Sequence, residues 1–234
     1  MNRKRRKRSH LSGTAVIALI VFAAASFILQ AQDRAASSGE DKPPVETAAA
    51  VKSNPLLAGK TIVLDAGHGG EDAGSIGQKG TFEKEVTLDT VHHIRDELKE
   101  RTGADVVLTR QEDEFVPLEQ RAAMAGENNA DLFISIHYDA FESKDVAGMT
   151  TYYYHNSDLT LAEVMHDALL GGVDVKDRGV KEGNYQVLRE NVKPALLLEL
   201  GYISNKAEEE RMNSEAFQTA VSHAIVNGII DYLS

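Results

Sequence analysis

TIVLDAGH at residues 61–68, LFISIH at 132–137 and ALLLEL at 195–200 are three short apolar runs. Each carries a side chain able to hold a metal or move a proton: His68, His137 and Glu199. Near-continuous Val, Ile and Leu over so few residues reads as a strand of a parallel sheet buried on both faces. In open α/β sheets the ligand crevice lies at the carboxyl ends of such strands. Two histidines and a glutamate converging there point to a metal-assisted hydrolase.

Outward from these runs, strand and helix patterns alternate from about Ala58 to Ser234, the mark of an α/β domain. Strands are expected near residues 61–66, 104–109, 131–137, 147–154, 185–188 and 194–200, and helices near 84–101, 117–128, 159–170 and 214–233. Val91, Ile94 and Leu98 follow helical spacing in the first helix, as do Phe217, Val221, Ile225 and Ile229 in the last. Gly103 is placed to close the first helix. No repeat and no second domain is evident.

The N-terminal region differs in kind. Residues 1–10 hold six basic side chains and no acidic one, and removing them from the net −11 leaves −17 for the rest. An acidic body excludes a nucleic-acid phosphate footprint. Residues 11–31 (LSGTAVIALIVFAAASFILQA) carry no charge and match the roughly 20 residues of a membrane-spanning helix. They read as an uncleaved anchor, with a cleaved signal peptide as the alternative; in both, the basic head stays in the cytoplasm and the body is exported. Residues 32–57, with Pro43, Pro44 and Pro55, read as a flexible spacer. Cys is absent, so any metal must be held by His, Asp, Glu or water.

Within the body, Glu199 stands out because an unpaired carboxylate in a sheet core costs several kcal/mol, roughly, to bury. A salt bridge, for instance to Arg189, is the structural alternative to a metal-centred role. His68 lies in a Gly-rich loop and His137 at a strand end, where each could also be an incidental or packed histidine. A zinc site needs about three protein ligands and one open position. Glu83 and Glu85, at the start of the first long helix, could supply the third, although acidic residues there also suit the helix dipole.

The ordered set TIVLDAGHGG, GTFEKEV, LTRQEDEFVPLEQRAAMAG, DLFISIHYDA and VLRENVKPALLLELGYISN resembles the zinc-dependent N-acetylmuramoyl-L-alanine amidases, the amidase-3 family of cell-wall hydrolases. It covers the body from about Lys60 to Leu233. The resemblance implies a single α/β domain over 58–234, with a mixed, mostly parallel sheet flanked by helices on both faces. It implies hydrolysis of the amide joining muramic acid to the first L-alanine of the peptidoglycan stem peptide. By motif, His68, Glu83 and His137 would hold one zinc ion, and Glu199 would be the carboxylate that activates its water. Arg189 and Asn205 are candidate substrate-binding residues, and Ser135 and Asp65 candidate supports. Tyr138 stands where many relatives have a small residue, and could narrow the cleft or offer its ring to the glycan. A zinc peptidase and a non-catalytic wall-binding module are the competing readings.

Other features carry less. AGSIG at 73–77 lacks the strand–turn–helix context of a nucleophile elbow, and the glycines from Gly67 to Gly80 lack the Gly-Lys-Ser/Thr ending of a P-loop. His92, His93, His166 and His223 read as surface or packing residues, and Glu208–Glu210 as a solvated face. The path from Tyr154 to Val180 has room for little beyond one helix, so no obligatory activator protein is expected.

Overall fold

The computed structural model describes residues 56–234. The basic head, the apolar segment and the spacer up to residue 55 lie outside the described residues. Among the described residues, no helix is long and apolar enough to cross a membrane. Leu57 already belongs to the packed body: it is buried, and its N–H donates to Thr102 O.

Six strands form one sheet: β1 (Thr61–Ala66), β2 (Asp105–Leu108), β3 (Leu132–Asp139), β4 (Met149–Tyr153), β5 (Asp177–Glu182) and β6 (Ala195–Tyr202). Their order across the sheet is β2-β1-β3-β6-β4-β5. The first four in that order are mutually parallel, β4 runs antiparallel to β6, and β5 is parallel to β4. The three opening runs are the central strands. All eight residues of β6 are buried, as helices on both faces require of an apolar run without alternation.

On one face lie α1 (Glu83–Thr102), α3 (Leu159–Gly172) and α6 (Glu215–Leu233). Their stripes, including Val91, Ile94, Leu98, Met165, Val221 and Ile225, form the larger core with Ile62, Leu64, Ile134 and Leu198. On the other face α2 (Leu118–Glu127) and the short α4 (Gln186–Arg189) cover Val63, Phe133 and Leu197. Gly103 closes α1 in the left-handed conformation, at φ 68°. Helix α5 (Lys206–Met212) follows β6 directly.

Three local expectations change. Residues 185–188 are not a strand: Gln186–Arg189 is one helical turn, and four residues with buried Val187 and Leu188 fit either period. The fifth strand is instead DRGVKE at 177–182, a polar edge strand paired on one side only, where no apolar alternation is needed. Glu208–Glu210 is not a solvated face, because Glu208 and Glu209 are 4% and 0% exposed.

Candidate metal centre

The carboxyl ends of β1 and β3 adjoin, with Ala66 beside Ile136, and His137 on β3 is in register with Glu199 on β6. The chain then turns at Gly67, whose lack of a side chain is essential: a Cβ there would lie 2.4 Å from His137 Cε1. His68 follows in the left-handed region at φ 62°, a strain of about 1–3 kcal/mol for a residue that is not glycine. Two buried arginines hold that turn. Arg121 donates to the carbonyls of Ala66 and His68 and to Asp65 Oδ1 at 2.8 Å. Arg110 donates to the carbonyls of Ala66 and Gly67, both at 2.9 Å.

Asp65 anchors this scaffold from below. Its carboxylate accepts from Arg121, from Thr109 Oγ1 at 2.6 Å and from Ser135 Oγ at 2.6 Å. Burial opposes its ionisation, but Arg121 and the two hydroxyls outweigh burial and hold the carboxyl below the usual aspartate range.

Glu83 opens α1 and turns inward, 3% exposed, whereas Glu85 faces solvent. Glu83 Oε1 lies 3.1 Å from both His68 Nε2 and His137 Nδ1, and accepts from the Tyr138 N–H. Its Oε2 accepts from the Ser75 N–H at 2.9 Å. Burial works against ionisation here too, yet the two imidazoles hold the carboxyl far below its ordinary range. On the outer side of His68, Nδ1 lies 2.9 Å from Asp72 Oδ2. Burial alone would lower the His68 pKa; Glu83 and Asp72 raise it instead. One ligand atom from each of His68, Glu83 and His137 lies within 4.8 Å of the others, so the three could hold a metal ion.

Glu199 differs. It is 7% exposed, its Oε2 has no hydrogen-bond partner, and it pairs with no cation among the described residues. Burial pushes its pKa well above the carboxylate range, and the charges of Glu83 and Asp139 push the same way. It lines, with His68, Glu83 and His137, a cavity of about 510 Å³. Phe115, Val116, Leu118, Tyr185 and Val187 add an apolar part to its lining.

The remaining sequence candidates lie elsewhere. Arg189 does not line the cavity: its guanidinium donates to Asn184 Oδ1 at 2.6 Å, 37% exposed, at the end of α4. Asn205 caps α5, accepting from the N–H groups of Ala207 and Glu208. Tyr138 points away from the cleft into the larger core, with its hydroxyl 2.9 Å from Thr90 Oγ1. Asp72, Asp139 and the two buried arginines went unassigned in the sequence. Arginine is almost never fully buried unless paired, and the carbonyls that hold these two carry no sequence signal.

A family model of N-acetylmuramoyl-L-alanine amidases matches residues 62–231. The chain belongs to the amidase-3 family. The uncharacterised protein YqiI of Bacillus subtilis is 41% identical over 180 residues, covering 75% of this chain and 86% of that protein. The probable cell wall amidase LytH of Staphylococcus epidermidis is 41% identical over 186 residues, covering 79% of this chain but only 62% of LytH. Among solved structures, the catalytic domain of CwlV, an N-acetylmuramoyl-L-alanine amidase from Bacillus (Paenibacillus) polymyxa, superposes with a TM-score of 0.73 at 39% identity. That match covers 74% of this chain and 98% of the CwlV domain. The match therefore spans nearly all of the CwlV catalytic domain.

Proposed function

We propose that the amidase domain cleaves the N-acetylmuramoyl-L-alanine bond of peptidoglycan with one zinc ion held by His68, Glu83 and His137, and with Glu199 as the proton carrier. The observation that carries this reading is a three-ligand cluster sharing a cavity with a buried, unpaired glutamate. The donor set fits zinc: two imidazoles and one carboxylate make the three protein ligands of a catalytic site that keeps a position open. A zinc ion held by these three residues would supply Lewis acidity toward the scissile carbonyl and toward a water, whose pKa it would bring down to about 7.

The chain supplies the rest. Asp72 accepts from His68 Nδ1 and so fixes which ring nitrogen faces the cluster. Glu199 takes a proton from the attacking water and hands it to the alanine nitrogen as the C–N bond breaks, help worth about 10²–10⁴ in rate. The burial that raises its pKa makes the protonated form accessible for that second transfer. Phe115, Leu118 and Tyr185 give the cavity rim an apolar surface suited to a sugar ring face.

The apolar segment 11–31 behind a basic head supports an anchored domain facing the cell wall, with secretion after cleavage as the alternative. The single long helix between Tyr154 and Val180, α3, packs against α6 and contributes nothing to the cavity lining, which supports activity without an activator protein.

The decisive test is Glu199→Ala on purified peptidoglycan. Lost turnover with unchanged zinc content and unchanged unfolding supports the mechanism, and full turnover refutes it. Product analysis separates the competing enzyme: intact stem peptides beginning with L-alanine mean an amidase, whereas cut stem peptides mean a peptidase.

A further inference from the structure

We propose that Glu209 is a positioning residue for the metal centre: its buried carboxylate clamps the turn at residues 77–81 and thereby fixes where Glu83 enters the site. The inference rests on the zinc reading above. Glu209 is 0% exposed and pairs with no cation among the described residues; Lys79 Nζ pairs with Glu210 instead. Instead the carboxylate accepts backbone N–H groups: Lys79 at 3.0 Å to each oxygen, and Thr81 at 3.3 Å. Hydrogen bonds to an ionised acceptor are roughly twice as strong as neutral ones, and a buried carboxylate without a counter-ion depends on them. Residue 77 is shaped for this contact, because a Cβ on Gly77 would lie 2.2 Å from Glu209 Oε1.

The clamp reaches the ligand through a narrow antiparallel loop. Gly77 N–H donates to Thr81 O, and Ile76 bridges Phe82. At the open end Ser75 holds Glu83 twice: Ser75 O accepts the Glu83 N–H, and the Ser75 N–H donates to Glu83 Oε2, both at 2.9 Å. Pulling the closed end therefore moves the end that holds the ligand. A second tie runs from Gln78 Nε2 to Ser204 O at 2.8 Å. Helix α5 follows the strand that carries Glu199, so one element registers the proposed ligand Glu83 against the proposed proton carrier.

The test uses the full-length chain as wild type, Glu209→Gln and Gly77→Ala, with Glu210→Gln as the exposed neighbour on the same helix. Glu209→Gln removes the charge and one acceptor and sets an NH₂ beside the Lys79 N–H, and Gly77→Ala evicts the carboxylate while leaving it intact. Two quantities are read: zinc affinity of the metal-stripped protein against a competing chelator, and amide hydrogen exchange. Zinc affinity is expected to fall about 10–100-fold in both variants, the range typical of lost support around a ligand. The Lys79 and Thr81 amides should exchange at least about tenfold faster while β1 and β6 amides stay protected. Zinc affinity within about twofold of wild type, equal acceleration across the sheet, or the same loss in Glu210→Gln would overturn the proposal. A wild-type chain that takes up no zinc refutes the metal reading itself; the exchange arm, read without metal, tells that apart from a failed clamp. Should Glu209→Gln not fold, Gly77→Ala carries both readouts.

Discussion

Replacing Asp65 by Asn isolates one charge beneath the proposed metal centre. The side chain is 1% exposed and accepts from Arg121, Thr109 and Ser135. Asn keeps the shape, and its oxygen can still face Arg121 and Thr109 while its NH₂ meets the Ser135 hydroxyl, which also accepts. What disappears is the counter-charge of an arginine that is itself 2% exposed. Removing one partner of a buried pair costs about 3–5 kcal/mol. That is a large share of the roughly 5–15 kcal/mol that holds a domain folded. At about 2–4 °C per kcal/mol for a domain of this size, Tm should fall by about 6–20 °C. Urea unfolding at pH 7 should show the loss in midpoint with an unchanged slope. The Asp65 carboxyl is held below its ordinary 3.8, so its contribution is complete above that pH and is lost as pH falls through the folded value. The gap between wild type and Asp65→Asn should therefore be constant from pH 7 down to about 5 and close only below 3.8. A loss under about 1 kcal/mol, the value of an exposed pair, would refute the reasoning. So would a gap that narrows between neutral pH and pH 5.

Three shorter expectations follow from the same geometry. Gly67→Ala should abolish zinc uptake, since the added methyl overlaps the His137 ring; metal content after dialysis reads it directly, and stoichiometric zinc would contradict the close approach. Tyr138→Phe removes one buried hydrogen bond and should lower stability by about 1 kcal/mol with KM unchanged, whereas a raised KM would return Tyr138 to the cleft. Stripping the metal with a chelator should abolish turnover and lower Tm, because a ligand bound only to the folded state stabilises by mass action, and added zinc should restore both.

The central strands were legible because burial on both faces leaves no room for polar residues, so β1, β3 and β6 announce themselves in composition alone. Helix α1 was visible for the complementary reason, one apolar stripe at helical spacing. Edge and local features were harder. DRGVKE pairs on one side only and carries no apolar signal. YQVL is too short for its period to be measured. Within the site, His68, His137 and Glu199 could be proposed from their strand ends, but the choice of Glu83 over Glu85 came from family resemblance. The structure supplies its reason: Glu83 faces the two imidazoles and Glu85 faces water. Glu209 and, apart from its ion pair with Arg211, Glu208 read as solvent-facing because the groups that bury them are backbone N–H groups, which every residue but proline carries and no sequence pattern reveals. The same holds for Arg110 and Arg121, buried against carbonyls from a turn that lies far away in sequence.

The order of strands in the chain differs from their order in the sheet, and this governs when the domain becomes active. β6 is the last strand to be synthesised yet lies in the middle, joining the β2-β1-β3 half to the β4-β5 pair. A chain that ends before residue 195 keeps His68, Glu83 and His137 but leaves β3 with a bare edge and β4 with nothing central to dock on. Pairings this distant in sequence also form slowly. A hydrolase built this way stays silent while its chain is incomplete. It gains Glu199 and a continuous sheet in the same step, once nearly all of its length has been made.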